Sequence, residues 1–400
     1  MADEKDLRLF VDRRQTDSIK WSKYAGTDII PLWIADMDFP SPKAVVDAIC
    51  RRARHGVFGY GTPPQSLFHV FAKRMEKLYN WTIEPEWIIW LPGLVSGINL
   101  ACRAVGNPGD TVLTTIPVYP PFLSAPGYSQ RKLKTVKMHI DSGRWRIDFD
   151  RLEKAVTSDT KLFLLCSPHN PTGRVFTYDE LSTLARICLE HDLVICSDEI
   201  HCDLILKPGC RHIPTACLGR DIARRTITLM APSKTFNIPG LGCSMAIIPD
   251  PEIRKKFKAA KAGIVPDVNI MGFVAAEAAL RDDSPWLAKI LDYLRSNMEL
   301  VLSRINAAKV VSMLPVEGTY LAWIDVRSTG LEDPAAFFEK AGVALSDGGN
   351  FGTPGFVRLN FGCHRDLLQK ALERIERALK RLELGQAPAG CRCQAVDNRF

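Results

Sequence analysis

The sequence predicts an α/β protein whose larger part is built on a mostly parallel sheet, with a smaller α/β domain attached. Short apolar runs recur through the middle of the chain, and most are separated by stretches with helical spacing, the pattern of strand–helix–strand units. The runs predicted as strands are 111–115, 162–166, 194–197, 226–230 and 243–248. A length of 400 residues exceeds one typical core, so two domains are expected.

Two helices are marked clearly between and after these strands. Thr177 followed by Glu180 has the spacing of a capping box, and apolar residues continue beyond it at helical intervals. The stretch from about 365 to 384 is predicted to be a long helix and the last packed element. Its apolar face carries Leu368, Leu372, Ile375, Leu379 and Leu382.

Composition and charge favour an ordinary globular enzyme over a disordered or nucleic-acid-binding chain. The chain is 46% hydrophobic and 24% charged, and its net charge of +7 is mild for this length. The basic residues between 254 and 261 are predicted to lie on a solvated helix face, so no nucleic-acid partner is expected. No apolar run approaches the length of a membrane span, and the charged start lacks a signal-peptide core. We expect no membrane contact and a cytoplasmic location.

The twelve cysteines are expected to be mostly buried free thiols. Most occur singly within apolar runs, as Cys166, Cys196 and Cys243 do, which is not the pattern of a disulfide framework. The one close pair is Cys391 and Cys393, in a tail (386–400) whose composition indicates a flexible end. No spacing of cysteine and histidine matches a metal site, so no metal is expected.

Three polar residues follow three of the predicted strands. Asn170 comes after the strand at 162–166, Asp198 ends the next one, and Lys234 follows the strand at 226–230. In open α/β sheets ligands lie outside the carboxyl ends of the strands, so these side chains are expected to meet in one crevice.

This combination of amide, carboxylate and amine is what pyridoxal 5'-phosphate requires. Lys234 can hold the cofactor through a Schiff base, and Asp198 can keep its pyridine nitrogen protonated, which makes the ring an electron sink. Asn170 can donate a hydrogen bond to the ring hydroxyl. His201 can reach the same oxygen, or it is a structural histidine; the sequence leaves both open.

Three segments surround these residues: Ser167-Pro-His-Asn-Pro-Thr-Gly173, Ser197-Asp-Glu-Ile-His201 and Pro232-Ser-Lys-Thr-Phe-Asn237. They resemble fold-type I pyridoxal-phosphate enzymes of the class I/II aminotransferase superfamily. Three more segments narrow the resemblance: Trp33-Ile-Ala-Asp-Met-Asp-Phe-Pro40, Pro117-Val-Tyr-Pro-Pro-Phe122 and Arg358-Leu-Asn-Phe-Gly-Cys363. These are similar to the cystathionine β-lyase branch, the bacterial carbon–sulfur lyases. The resemblance extends from about residue 10 to about residue 384.

The resemblance implies a division into domains with the active site between them. Residues 46–284 would form the large cofactor domain, and residues 1–45 would join 285–385 in the small one. Ala35 and Arg358 would then face the same cleft and bind substrate. A guanidinium grips an α-carboxylate through two parallel hydrogen bonds. The alternation of Val357-Arg-Leu-Asn-Phe361 predicts a strand with Arg358 and Asn360 on a polar face, opposite a buried one.

The cofactor phosphate needs its own site. Leu91-Pro-Gly-Leu-Val-Ser-Gly97 opens an apolar stretch, so the backbone N–H groups of Leu94 and Val95 are expected to bind an anion at a helix N-terminus. Ser233 would add a hydroxyl. The resemblance assigns Tyr60 to the phosphate of the partner subunit, which implies a homodimer with shared sites.

Further features of the sequence help to distinguish the lyase branch from the aminotransferases. The resemblance places Tyr119 near the cofactor ring and the leaving group; the alternative is a core tyrosine in a proline-rich turn. Many aminotransferases carry a phosphate-binding arginine a few residues after the lysine, but this chain has Gly240-Leu-Gly-Cys-Ser244, and Ala231 replaces a common serine. Both changes match the lyase branch better than a transaminase.

The resemblance therefore implies α,β-elimination from cystathionine or a related S-substituted cysteine, giving a thiol, pyruvate and ammonia. Two alternatives stay open. One is an aminotransferase on the same scaffold. The other is a lyase-like protein that binds a transcription factor, because the branch includes a maltose-regulon modulator. The sequence does not identify the preferred thioether.

Overall fold

The computed structural model describes residues 11–384, and its main feature is a seven-stranded sheet. Six strands are parallel, and only Ser244–Ile247 runs against its neighbours. The order across the sheet is Ile88–Leu91, Ser244–Ile247, Thr226–Met230, Val194–Asp198, Thr160–Cys166, Thr111–Ile116, Lys132–Lys137. The predicted α/β class with a mostly parallel sheet is confirmed.

Helices cover the sheet, and its central strands are buried on both faces. Every residue of Val194–Asp198 and Thr226–Met230 is buried, as expected of a parallel sheet between helical layers. The α-helices of the described residues are, in chain order, Ile19–Ser22, Lys43–Arg54, Gln65–Tyr79, Leu94–Ala104, Pro120–Tyr128, Phe149–Ala155, Tyr178–Glu190, Arg220–Arg224, Pro251–Lys261, Ile270–Arg281, Trp286–Asn306, Pro334–Lys340 and Arg365–Glu383.

A second, antiparallel sheet lies in the C-terminal part of the chain. Its strands lie in the order Ser312–Met313, Leu321–Asp325, Phe356–Asn360, Ser346–Asp347. The N-terminal segment joins this part, because Ile30–Pro31 pairs in parallel with Val343–Ala344. Leu32 and Met37 are buried in the same apolar core as the C-terminal helices. The proposed domain bounds at 45, 284 and 385 stay predictions.

All five predicted strands are present, within one to two residues of their predicted ends. The two outermost strands of the large sheet were not predicted. Lys132–Lys137 is an edge strand with alternating lysines, a charged edge that discourages pairing with other chains. The capping box is confirmed: Thr177 Oγ1 accepts from Glu180 N, and the Glu180 carboxylate accepts from Thr177 N.

The expectation that most cysteines are buried free thiols is confirmed for the described residues. Ten cysteines fall within residues 11–384; all are free, and seven of them are buried. Cys391 and Cys393 lie outside the described residues. Within 11–384, no helix has both the length and the apolar character needed to cross a membrane.

Candidate active site

The polar residues predicted at the strand ends meet in one cavity at the carboxyl edge of the large sheet. Cys166, Asp198 and Leu229 lie side by side in register at the ends of three adjacent strands. The cavity encloses about 760 Å³, which includes its opening to solvent. Nine residues predicted for the site line it: Ala35, Leu94, Val95, Tyr119, Asn170, Asp198, His201, Ser233 and Lys234.

Lys234 projects into this cavity from the turn that follows Thr226–Met230. Its Nζ donates to the carbonyl of Ala35, 2.5 Å away, and so joins the turn to the N-terminal segment. Burial lowers the pKa of Lys234 to about 8; the negative charge of Asp36 opposes this effect. An amine with a lowered pKa is partly neutral near pH 7, which is the form that attacks a carbonyl.

Asp198 is the last residue of its strand, and only 4% of its surface is exposed. One carboxylate oxygen accepts from Ile200 N at 3.1 Å. Burial raises the pKa of Asp198 to about 7, and the neighbouring Glu199 acts in the same direction. Among the ion pairs of residues 11–384, none includes Asp198, although buried carboxylates in proteins are usually paired with a cation.

Asn170 and Arg358 are joined across 188 residues of sequence. Arg358 Nη1 donates to Asn170 Oδ1 at 2.9 Å, which leaves the Asn170 amide nitrogen as the donor on its other side. Arg358 Nη2 donates to the carbonyl of Trp33 at 2.9 Å. The guanidinium lies over the Phe351 ring, 4.8 Å from its centre, and burial lowers its pKa to about 10. Arg358 thus lies directly behind the cavity residues, next to Asn170.

The expected contrast between a polar and a buried face of the strand Phe356–Asn360 is wrong. All five residues of this strand are buried, including Arg358 and Asn360. Asn360 is buried because its amide donates to the carbonyls of Ile34 and Asp36, at 2.6 and 2.7 Å. The polar face therefore binds the N-terminal segment instead of facing solvent.

His201 and Tyr119 line the same cavity as Asp198. Burial lowers the pKa of His201 to about 3, helped by the positive charges of Lys234 and Arg358, so its ring is neutral. Its Nδ1 is buried and has no hydrogen-bond partner among residues 11–384. Tyr119 lies at the start of Pro120–Tyr128, and burial raises the pKa of its hydroxyl.

One end of the cavity is suited to an anion. The helix Leu94–Ala104 begins there after Gly93, so its first N–H groups have no partner within the helix. Ser233 and Ser244 lie nearby in the lining. Gly242, which the sequence places where aminotransferases often carry arginine, has φ of +57°, and an added Cβ would lie 3.1 Å from the Pro92 carbonyl oxygen. Within residues 11–384, no arginine lines the cavity.

Two predicted site residues, Arg358 and Tyr60, are not among those that line the cavity. Arg358 bonds the lining residue Asn170, whereas Tyr60 lies on the surface of the single chain. It is fully exposed, with a relative exposure of 112%, and Val57 and Phe58 beside it are more than 60% exposed. Exposed apolar and aromatic residues in one short stretch are typical of an interaction surface.

Several residues around the site were not found from the sequence. The Tyr320 hydroxyl donates to the same Ala35 carbonyl that accepts from Lys234, and Ser346 and Phe351 contact Arg358. Ser346 lies in a short strand of the small sheet, and Tyr320 and Phe351 lie just outside its strands. Nothing in the local sequence there separates a site residue from a core residue.

The chain belongs to the aminotransferase class I and II family, whose model matches residues 27–375. It is 38% identical to cystathionine beta-lyase PatB of Bacillus subtilis (strain 168), over 92% of this chain and 98% of that protein. The crystal structure of OvoB is 48% identical, with a TM-score of 0.91 and coverage of 92% and 97%. Cystalysin of Treponema denticola, solved with pyridoxal 5'-phosphate, is 34% identical, with a TM-score of 0.89 and coverage of 94% and 99%.

The residues of this cavity fit pyridoxal phosphate. The unpaired carboxylate of Asp198 suits a cationic ring nitrogen, and the free N–H groups at the start of Leu94–Ala104 suit a phosphate. The amine of Lys234 lies in the same cavity. His201 Nδ1 and the amide nitrogen of Asn170 are left for a polar ring substituent.

Proposed function

We propose that this protein is a pyridoxal-phosphate-dependent carbon–sulfur β-lyase. Its substrate is cystathionine or a related S-substituted cysteine, and its products are a thiol, pyruvate and ammonia. The observation that carries the proposal is the meeting of Lys234, Asp198 and Asn170 in one cavity, with Arg358 bonded to Asn170. The similarity to PatB over nearly the whole chain supports the same reaction class.

Lys234 is the base in this proposal. When bound, pyridoxal phosphate stores the electron pair that the Cα proton leaves behind. The neutral Lys234 amine removes that proton, because burial keeps its pKa at about 8. The substrate Cβ–S bond then breaks and sulfur leaves with the electron pair as a thiolate. Protonation of the thiolate and hydrolysis of the remaining enamine complete the reaction.

The other site residues hold the cofactor and orient the substrate. Asp198 keeps a cationic ring nitrogen charged from within a buried site, and His201 and Asn170 bond the ring oxygen. Arg358 holds the substrate α-carboxylate, because a planar guanidinium fixes a carboxylate at two points. Tyr119 positions cofactor and substrate, and the backbone of Ala35 closes the substrate side of the cavity.

The proposal includes a cytoplasmic homodimer in which Tyr60 completes the phosphate site of the partner subunit. Leu94, Val95 and Ser233 provide the anion site of each chain, and the described part of the chain adds no arginine to its lining. The exposed stretch around Tyr60 supports a role outside its own chain. Residues that are exposed in one chain and required in another are expected in a two-fold dimer.

The experiment is a substrate panel with purified protein and added pyridoxal phosphate. L-cystathionine and several S-alkyl and S-aryl cysteines are incubated, and thiol and pyruvate are assayed together. We expect both products from at least one thioether and none with Lys234→Ala. Loss of substrate without pyruvate or thiol would contradict the proposal.

Transamination is the second candidate, because the matching family model is that of class I and II aminotransferases. It would convert the same amino acids into keto acids that retain the C–S bond. The substrate panel separates the two reactions when these keto acids are assayed beside pyruvate.

A further inference from the structure

The Ala35 carbonyl is shared by two donors from opposite parts of the chain. Lys234 Nζ donates to it at 2.5 Å, and the Tyr320 hydroxyl donates to it at 3.0 Å. A carbonyl oxygen only accepts, so whatever the charge of Lys234, its nitrogen presents an N–H in this direction. Besides the proposed bond to the cofactor, the Lys234 amine thus has a second position, in which it contacts the N-terminal segment.

Asp36 directly follows Ala35, and within residues 11–384 only one of its two carboxylate oxygens accepts a hydrogen bond. Its Oδ2 accepts from Arg13 at 2.8 Å. Among residues 11–384 its Oδ1 is buried without a hydrogen-bond partner, and Lys20 Nζ forms an ion pair with it at 3.7 Å. A buried carboxylate oxygen without a donor is costly, unless a further cation approaches it during function.

The backbone around Asp36 is held by the antiparallel sheet that contains Asn360 and by the loop 231–240 that carries Lys234. Asn360 donates to the carbonyls of Ile34 and Asp36. Asn237, three residues after Lys234, accepts from Met37 N and donates to Met37 O. The loop that carries the amine and the segment that receives it are thus bonded to each other and keep a fixed separation.

The charges around Lys234 act in opposite directions. Burial lowers its pKa, the carboxylates of Asp36 and Asp198 raise it, and Arg358 lowers it; the effect of Asp36 is the largest of the three charges. His201 also faces the amine but is neutral. Asp36 is therefore the main group that stabilises the ammonium form of Lys234.

We propose that the Ala35 carbonyl and the Asp36 carboxylate hold Lys234 as an ammonium after it takes the substrate Cα proton, and that Asp36 is thereby a positioning residue that favours elimination over transamination. This inference rests on the proposed function. In the first step the Cα–H bond breaks and an N–H bond forms on Lys234. Elimination then needs only the departure of thiolate with the C–S electron pair. Transamination needs the same proton to be delivered to the cofactor carbon.

An ammonium that donates to a carbonyl and lies in the field of a carboxylate gives up its proton more slowly, because both groups favour its charged form. The delay gives the C–S bond time to break. Removal of the Asp36 charge should therefore change two quantities: the pH at which Lys234 loses its proton, and the division of turnover between pyruvate and the keto acid that retains sulfur.

The first measurement does not depend on activity. Full-length protein freed of cofactor is labelled with trace acetic anhydride across a pH series, and acetylation of Lys234 is quantified by mass spectrometry. Only the neutral amine reacts, so the midpoint reports its pKa. We expect the midpoint of Asp36→Asn to lie about one pH unit below that of wild type. An unchanged midpoint would overturn the proposal.

Arg13→Gln is the matched variant. Arg13 bonds the same carboxylate, and its loss leaves the charge of Asp36 less compensated. The midpoint of Lys234 should then move upward, opposite to Asp36→Asn. General loosening of the N-terminal segment would move both variants in the same direction, and that result would also overturn the proposal.

The second measurement uses the cofactor-loaded enzyme and a thioether substrate. Asp36→Asn should raise the ratio of sulfur-retaining keto acid to pyruvate by about tenfold, the equivalent of one pKa unit. An unchanged ratio with a shifted midpoint would refute the effect on partition. If wild type makes no pyruvate while the midpoints still move in opposite directions, the proposed lyase function fails and the charge coupling stands.

Discussion

At the scale of single residues, the buried carboxylate of Asp198 suits its proposed role but lowers the stability of the cofactor-free protein. Burial raises its pKa from 3.8 to about 7, so between these values the folded chain holds a proton that the unfolded chain has released. The stability of the cofactor-free protein therefore falls as pH rises through this range and stays low above it. A cationic ring nitrogen beside the carboxylate would remove this cost.

Asp198→Asn should stabilise the cofactor-free protein while it damages the enzyme. At pH 8 we expect the free energy of unfolding to rise by as much as about 4 kcal/mol, since the amide carries no charge. Affinity for pyridoxal phosphate and turnover should fall strongly, because one member of a buried ion pair is then missing. Denaturant unfolding at pH 8, cofactor titration and the pyruvate assay measure these effects. Asp159→Asn, on an exposed carboxylate, is the control. Lower stability of Asp198→Asn than of wild type would contradict this account.

Arg358 is the residue whose substitution should separate substrate binding from cofactor binding. Arg358→Ala should lower kcat/KM for free amino acids by at least about a hundredfold, from the loss of two charge-assisted hydrogen bonds. Arg358→Lys should recover little, because an ammonium lacks the planar two-point grip.

The deciding measurement compares kcat/KM for an amino acid with kcat/KM for its α-carboxamide, in wild type and in Arg358→Ala. Arg358 also bonds Asn170 and Trp33, so its loss can disturb the cavity itself. Such disturbance would slow both substrates alike, whereas loss of carboxylate recognition removes the preference for the free acid. If Arg358→Ala discriminates as well as wild type, another group holds the carboxylate.

At the scale of elements, strand ends and helix starts place the site. Asp198 ends its strand, and Asn170 and Lys234 each follow a strand by four residues. Most of these elements were predictable because apolar runs and caps are local signals. The placement of Arg358 was less so, since its strand is buried on both faces and its polar face binds the N-terminal segment.

The helix Tyr178–Glu190 offers a test of element stability away from the cavity. Thr177→Ala removes the hydroxyl that accepts from Glu180 N and should cost about 1 kcal/mol of unfolding free energy. Thr183→Ala, at a half-buried position of the same helix where the hydroxyl donates to the Asp179 carbonyl of the preceding turn, should be nearly neutral. Urea unfolding measures both, and kcat should be unchanged. Equal stability of the two variants would show that the cap contributes nothing.

At the scale of the whole molecule, the sequence predicted which strand ends meet at the site but not which residues of the N-terminal segment and the small sheet lie opposite them. Asn170, Asp198 and Lys234 could be brought together because parallel strands share an edge. Ala35 lies 199 residues from Lys234, and its contact with the amine depends on how the N-terminal segment packs on the small sheet. No local pattern encodes that packing. Tyr320 was missed for the same reason.

The proposed exchange of Tyr60 between subunits has a direct test by complementation. Lys234→Ala and Tyr60→Ala homodimers should each have low activity. In a mixed dimer, one site then combines the intact Lys234 of one chain with the intact Tyr60 of the other. Unfolding and refolding an equimolar mixture should therefore restore activity towards one functional site per mixed dimer. Failure to gain activity, with mixed dimers verified by mass, would place Tyr60 outside the shared site.

The measurement that tests the central claim most directly is the stoichiometry of a single reaction. Purified protein with pyridoxal phosphate is given a cysteine thioether, and loss of substrate is followed by NMR together with thiol, pyruvate and ammonia. The predicted result is equal amounts of all three products for each substrate lost, and no reaction with Lys234→Ala. Conversion of the substrate into a keto acid that keeps its C–S bond, without thiol or ammonia, would contradict the assignment as a carbon–sulfur β-lyase.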